Sequence, residues 1–156
     1  MTDINHILVP TDGSEHSLKA ARFAGDLARS TGASVTVLMV QDTRSIVVDA
    51  WNATAGGSDT GGDTGTVEAV KSAMESRATS EELADTSDAV GEVDGDTNAV
   101  QLWGHPADDI CRYAERHDVD LIVMGSHGRS ALKRAILGSV SHAVVNSATC
   151  AVMIVR

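Results

Sequence analysis

Apolar residues along the chain fall into five short runs, separated by segments that follow a helical period. The first run, His6 to Pro10 (HILVP), is continuous rather than alternating and stops at a proline, as expected of a strand buried on both faces. Turn chemistry follows at once, since Thr11, Asp12, Gly13 and Ser14 can form a tight turn and cap a helix. That helix reads SLKAARFAGDLARSTG, with Ala20, Phe23, Ala24 and Leu27 predicted on one face and Gly32 as its stop. Ala33 to Val40 (ASVTVLMV) reads as a second strand, rich in β-branched residues. Together these segments predict a βαβ unit with a right-handed crossover.

The pattern then lapses. From Asn52 to Thr66 (NATAGGSDTGGDTGT) there are five glycines and no apolar side chain larger than alanine, the composition of a flexible surface loop. Asn52-Ala53-Thr54 matches a glycosylation pattern, a weak signal in a chain with no secretion signal. A helix is predicted to resume near Val67 and run toward Leu83, and the acidic stretch from Glu81 to Asp96 fits no template well. Asn98 to Trp103 reads as a third strand and Gly104 as a turn. Pro106 near N1, with Asp108 and Asp109 in the first turn, starts a helix that runs to about His117. Asp120 to Met124 and Cys150 to Val155 are the fourth and fifth strands. Strands alternating with helices indicate an α/β fold, a parallel sheet covered on both faces, in one domain spanning residues 1–156 with no internal repeat.

Composition narrows what such a domain can do. At 156 residues, 42% of them hydrophobic, the chain can bury one sizeable core. Its formal charge of −10 opposes nucleic acid or an anionic membrane as a main partner. The charged set is lopsided, with 15 Asp among the acids and only Lys19, Lys71 and Lys133 against 9 Arg. Dense carboxylates of this kind suit a halophile, where salt screens their repulsion; an ordinary acidic protein that happens to be poor in lysine is the alternative. Cys111 and Cys150 form no CxxC and have no histidine at ligand spacing, so they read as small core residues. With neither a signal peptide nor an apolar run of roughly 18 residues, a cytoplasmic location is expected.

The chemistry concentrates after the fourth strand. Gly125 and Gly128 follow it directly, and after nine intervening residues Gly138-Ser139 opens a helix of the form SVSHAVVNSA. Glycines there allow positive φ and a close backbone approach to a ligand. A Gly-Ser helix start offers unpaired N–H donors, a hydroxyl and the positive end of the dipole, which suits phosphate. Neither GxGxxG nor Gly-Lys-Ser/Thr occurs, so the dinucleotide and Walker signatures are absent. Two glycines after a strand, taken alone, would be an ordinary turn; with Gly138-Ser139 and the Asp12-Gly13-Ser14 turn, phosphate binding is the better reading.

The pairing of ILVPTDGSEHS near the N-terminus with LIVMGSHGRSALKRAILGSVSHAVVNSATCAVMIVR at the other end resembles the universal stress protein family. It resembles in particular the members that keep the ATP-binding G-2x-G-9x-G(S/T) motif. Gly104-His105-Pro106-Ala107 through Asp120 is also similar, residues 52–96 are only weakly so, and Ala151 stands where the family commonly has proline. The resemblance implies an open, Rossmann-like five-stranded parallel sheet of order 3-2-1-4-5, helices on both faces. Strands one and four are then neighbours, and the topological switch point lies between them, where such sheets bind ligands.

Position by position, the resemblance implies that Pro10, Thr11 and Asp12 line the adenine and ribose end and that Val40 offers backbone groups to the adenine edge. Gly125, His127, Gly128 and Arg129 would wrap the ribose and phosphates, and Gly138, Ser139, Val140 and Ser141 would hold the phosphates. Mg²⁺ would sit mainly on phosphate oxygens and water. Asp12 could instead serve only as a helix cap, and Arg129, Lys133 and Arg134 form the densest basic patch, of which Arg129 is the one assigned to phosphate. His16, His105, His117 and His142 read as structural.

Three functions are compatible with this pattern: an ATP-binding regulatory module, a slow ATPase or nucleotidyl or phosphoryl transferase, and a nucleotide-free interaction or chaperone-like dimer. The lack of a P-loop lysine and of an evident general base weighs against catalysis. The resemblance also implies a homodimer formed through strand five, Cys150 to Val155.

Overall fold

Each strand of this chain places successive side chains on opposite faces, and the continuous apolar runs therefore feed two cores at once. In the computed structural model, which describes residues 3–44, 80–128 and 137–156, the strands are β1 (His6–Thr11), β2 (Ser34–Asp42), β3 (Thr97–Gly104), β4 (Leu121–Gly125) and β5 (Ala151–Val155). They pair in parallel in the order β3-β2-β1-β4-β5. The expected fold class and strand order are both present. Ile7 and Val9 of β1, with Leu121 and Val123 of β4, enter one core. Leu8, Ile122 and Met124 enter the other.

The first core is covered by α1 (Glu15–Thr31) and α2 (Ser80–Val90), the second by α3 (Pro106–Arg116) and α4 (Ser139–Ser147). Ser14 caps α1, its side chain accepting from the Ser17 amide, and Gly32 ends it in the left-handed region with φ 76°. The buried stripe of α1 is Ser17, Ala20, Ala21, Ala24, Gly25 and Ala28. Phe23, expected on that stripe, is 44% exposed. Although three residues after Ala20, it lies to one side of the stripe that Ser17, Ala21, Ala24 and Ala28 centre, and only small residues on that stripe let the helix sit close to its neighbours.

Helix α2 corrects a second expectation. It runs past Leu83 to Val90 and so occupies much of the acidic stretch that matched no template. Leu83, Thr86 and Val90 share its inner face, with Thr86 fully buried and Val90 nearly so. A buried threonine in an acidic run hides the helical period from hydropathy alone. The remainder of the expected helix, 67–79, and the Gly-rich stretch 52–66 lie outside the described residues. Among the described residues no helix is long and apolar enough to cross a membrane.

Cys111 on α3 and Cys150 before β5 are both free, half-buried thiols that pack against the second core. Burial raises both pKa values above the ordinary thiol value, because a low dielectric disfavours the thiolate. The native protein is expected to react with iodoacetamide at neutral pH more slowly than the unfolded chain, given that only the thiolate attacks. Peptide mass spectrometry after timed alkylation measures this, and raising the pH should restore the rate.

Candidate functional site

The β1–β2 ladder runs in register from His6–Ser34 to Thr11–Met39, whereas the β1–β4 ladder holds only Ile7–Leu121 and Leu8–Ile122. Pro10 lies in the part of β1 where the second ladder has already stopped, and it has no N–H to contribute. The two central strands therefore part toward their carboxyl ends. The crevice between them is bounded by the turn 11–14 on one side and the loop 125–128 on the other, and this is the switch point of the sheet.

The turn is fixed by a cluster of hydroxyls. Thr11, buried, donates from Oγ1 to Ser17 Oγ at 3.0 Å, accepts from the Gly13 amide at 3.1 Å and lies 2.8 Å from Thr86 Oγ1. Thr86 in turn donates to the Glu82 carbonyl at 2.8 Å. Helix α2 thus clamps the turn from behind. Gly13 takes φ 74°, a conformation that costs a residue with a Cβ about 1 kcal/mol or more. Asp12 accepts from the Ser14 amide at 3.0 Å through Oδ1. Asp12 is thus not the helix cap, a role taken by Ser14.

Across the crevice the glycines act through their missing side chains. Gly125, Gly128 and Gly138 are absent from the residues with positive φ, contrary to the expectation that the first two use that freedom. A Cβ on Gly128 would stand 2.5 Å from Asp12 Oδ2, one on Gly125 would stand 2.8 Å from the His16 backbone, and one on Gly138 would stand 3.3 Å from the Ser126 carbonyl oxygen. Each glycine lets one segment of the site lie directly against another. The Gly138 amide donates to Ser126 O at 2.8 Å, and the Ser126 amide donates to Val155 O at 2.9 Å. Ser141, buried in the first turn of α4, donates its hydroxyl to Gly125 O at 2.8 Å.

Gly138 caps α4 without a side-chain hydrogen bond. The first intrahelical bond runs from the His142 amide to Gly138 O, so the amides of Ser139, Val140 and Ser141 precede it and carry the positive end of the helix dipole. Ser139 is exposed, and Val140 is half-buried against the second core. Val40 follows Met39, the register partner of Thr11, and packs against the second core. Two residues further on, Asp42 is ion-paired with Arg44 at 2.8 Å, and the Arg44 hydrogen bond holds its carboxyl below the usual carboxylate range.

The fold therefore brings Asp12 against Gly128, Gly138 against Ser126 and His127, and Ser141 against Gly125. The hydroxyls of Thr11 and Ser141 are spent inside the protein, leaving the backbone as what these two residues can present. Arg129, Lys133 and Arg134 lie outside the described residues. His16, which reads from sequence as structural, belongs to the site's surroundings: its ring centroid is 5.6 Å from that of His127, whose Nδ1 lies 3.0 Å from Ser126 Oγ. His16, Ser126, His127, Leu137 and Arg156 line a cleft of about 190 Å³. Only the sheet order hints at this in sequence, by setting the end of β5 beside Gly125.

Comparison with known proteins agrees with this fold. The Universal stress protein family model matches residues 3–156. Universal stress protein MJ0531 of Methanocaldococcus jannaschii is 33% identical over 150 residues, covering 96% of this chain and 81% of that one. The solved structure of MJ0577, from the same organism, superposes with a TM-score of 0.75 at 26% identity, covering 99% of this chain and 96% of that one. A universal stress protein from Archaeoglobus fulgidus in complex with dAMP shares the fold, with a TM-score of 0.62 at 21% identity and coverage of 99% and 100%. Sequence matched over nearly the whole chain and a shared five-stranded topology lead to one conclusion: the chain belongs to the universal stress protein family.

Proposed function

We propose that the crevice between β1 and β4 binds ATP with Mg²⁺ and that nucleotide occupancy makes the protein a regulatory module of a cytoplasmic stress response. The observation that carries this reading is the meeting of Asp12 with Gly128, and of Gly138 with Ser126 and His127, at the switch point, a cradle that any Cβ would fill. The dAMP complex of the Archaeoglobus relative, and a further universal stress protein solved with cAMP, support an adenine nucleotide as the ligand.

In this reading Pro10, Thr11, Asp12 and Val40 form the adenine and ribose end. Thr11 contributes backbone and Asp12 its carboxylate. Gly125, His127, Gly128 and Arg129 wrap the ribose and phosphates. The amides of Ser139, Val140 and Ser141 receive the phosphates while the Gly138 amide holds Ser126 in place. Among the described residues no three His, Cys, Asp or Glu cluster in a way that could hold a metal. Magnesium is held in this reading mainly by phosphate oxygens and water, with few protein ligands, and the ion offsets triphosphate charge in a protein of −10. Isothermal titration with Mg-ATP tests the reading, and no heat of binding at millimolar nucleotide overturns it.

The same proposal includes a homodimer through β5. Among the described residues that strand is an edge of the sheet, and an edge strand's backbone row invites a second copy. Sedimentation equilibrium should give twice the chain mass of 16.2 kDa, and a monomer at all concentrations would remove this part. The acidic excess is assigned to a halophilic setting. The melting temperature is expected to rise by more than about 10 °C from low to multimolar KCl, since screening relieves carboxylate repulsion. A protein equally stable without salt would show that its charge has another origin.

A further inference from the structure

The inner face of α2 carries Leu83, Thr86 and Val90, and of these Thr86 is polar although it is fully buried. A buried hydroxyl costs stability unless it is bonded, and a valine would fill nearly the same space without that cost. The neighbouring Ser87 shows how little a helix needs to satisfy a hydroxyl, since its Oγ donates to the Leu83 carbonyl at 2.8 Å and the bond closes within the helix. Thr86 has the same kind of bond to Glu82 O at 2.8 Å, yet its oxygen also meets Thr11 Oγ1 at 2.8 Å, across 75 positions of the chain.

The groups beyond Thr11 give this contact its meaning. Thr86, Thr11 and Ser17 are buried hydroxyls strung between two carbonyls, with links of 2.8 Å from Glu82 O to Thr86, 2.8 Å from Thr86 to Thr11, 3.0 Å from Thr11 to Ser17 and 2.8 Å from Ser17 to Ser14 O. Each hydroxyl has one proton to donate, so three protons serve four links. When Thr86 gives its proton to Thr11, Thr11 gives its own to Ser17 and the run ends on Ser14 O, each bond polarising the next. Thr11 Oγ1 also accepts from the amide of Gly13, the residue at φ 74°. With Thr86 in place, the donor and both acceptor positions of the Thr11 hydroxyl are used, and its orientation is fixed.

We propose that Thr86 is a positioning residue of the nucleotide site: acting through Thr11, it holds the turn 11–14 in the shape that receives nucleotide, and so couples α2 to the crevice. The inference rests on the nucleotide-binding reading above. The turn carries Asp12, whose carboxylate lies against Gly128. Loosening it in the free protein lowers affinity in proportion to the fraction no longer ready to bind. The coupling is reciprocal, so bound nucleotide resists the withdrawal of α2. Val90 against Gly25, and Arg29 donating to Val90 O at 3.3 Å and Glu92 O at 3.1 Å, anchor the C-terminal end of this helix; Thr86 anchors it on the side of the crevice.

Isothermal titration with Mg-ATP and amide hydrogen exchange test this on the full chain as wild type, Thr86→Val and Thr86→Ser. Valine keeps the volume and removes the hydroxyl, whereas serine keeps the hydroxyl. Thr86→Val should bind ATP about fivefold more weakly, the equivalent of one net hydrogen bond, and Thr86→Ser should stay within about twofold of wild type. In wild type, ATP should slow exchange in α2 more than in α3, which packs against the other core. Thr86→Val should lose that excess while the loop 125–128 is still protected. Wild-type affinity in Thr86→Val overturns the proposal, and so does an equal loss in both variants, which assigns the position to packing alone. Wild type that binds ATP with no greater slowing in α2 than in α3 refutes the coupling and leaves the nucleotide reading intact; wild type that binds no nucleotide removes both. The wild-type exchange measurement needs no variant, so it decides the proposal even if Thr86→Val does not fold.

Discussion

Valine in place of Gly138 should abolish nucleotide binding while the melting temperature stays within a few degrees of wild type. Gly138 has φ −60° and ψ 155°, an extended conformation that a β-branched residue adopts without strain. The backbone therefore accepts the change. The added Cβ, however, points into the space between the glycine segments, 3.3 Å from Ser126 O, 3.4 Å from His127 Cα and 3.8 Å from Gly128 N. The two methyl groups beyond it then occupy volume that the cradle leaves open, beside the first-turn amides of α4. A loss of about 100-fold or more in ATP affinity, ~2.7 kcal/mol, is expected. Isothermal titration paired with a thermal melt measures both halves. Retained affinity would mean that the phosphates lie elsewhere, and a collapsed melt would mean that Gly138 serves folding first.

The largest expected effect on stability comes from a substitution that helix propensity alone would favour. Alanine in a helix interior is better than glycine by about 1 kcal/mol, so Gly25→Ala looks stabilising from sequence. Its Cβ would fall directly onto the Val90 carbonyl oxygen, with Val90 C at 2.9 Å and Val90 Cα at 3.2 Å. These are backbone atoms at the end of α2, and no rotamer change can clear them. Helix α2 must move away from α1, exposing Val90 and loosening Thr86, both fully or almost fully buried. Overpacking of a tight site costs typically 1–3 kcal/mol and occasionally more, which exceeds the propensity gain. The expected outcome is a net loss of about 2 kcal/mol and a melting temperature lower by roughly 4–8 °C for a chain of this length.

Adding Val90→Ala should not rescue the Gly25→Ala protein, because the obstructing atoms belong to the main chain. Urea denaturation of the single and double variants checks this. Stability equal to or above wild type in Gly25→Ala would show that the helices do not meet as closely as described. Because Thr86 also holds Thr11 at 2.8 Å, the same substitution should weaken ATP binding.

Residues that act through patterns local in the chain are legible in the amino-acid sequence alone. The run HILVP reads as a doubly buried strand, Pro106 with Asp108 and Asp109 marks a helix start, and Gly32 marks a helix stop; all three appear where expected. The glycines at 125, 128 and 138 are recognisable by spacing, but the reason for them is not. They serve close approach between segments far apart in sequence, and that is invisible in a dihedral argument made one residue at a time. Phe23 and the acidic run of α2 show the same limit, since hydropathy ranks side chains by polarity and cannot say that a face must be small, or that a buried Thr86 is satisfied by Thr11 and Glu82 O.

The sequence by itself determined the class of sheet, the turn at Asp12-Gly13-Ser14 and the helix start at Gly138-Ser139, because each depends on propensities and hydrogen bonds spanning a few residues. Tertiary structure alone decided which groups meet. Asp12 reaches Gly128, Thr86 reaches Thr11, and His16 and Arg156 come to one cleft with His127, through contacts set by strand order and by the distance at which helices pack on the sheet. Those distances depend on the summed bulk of many side chains on several elements, a quantity that no single segment of the chain encodes.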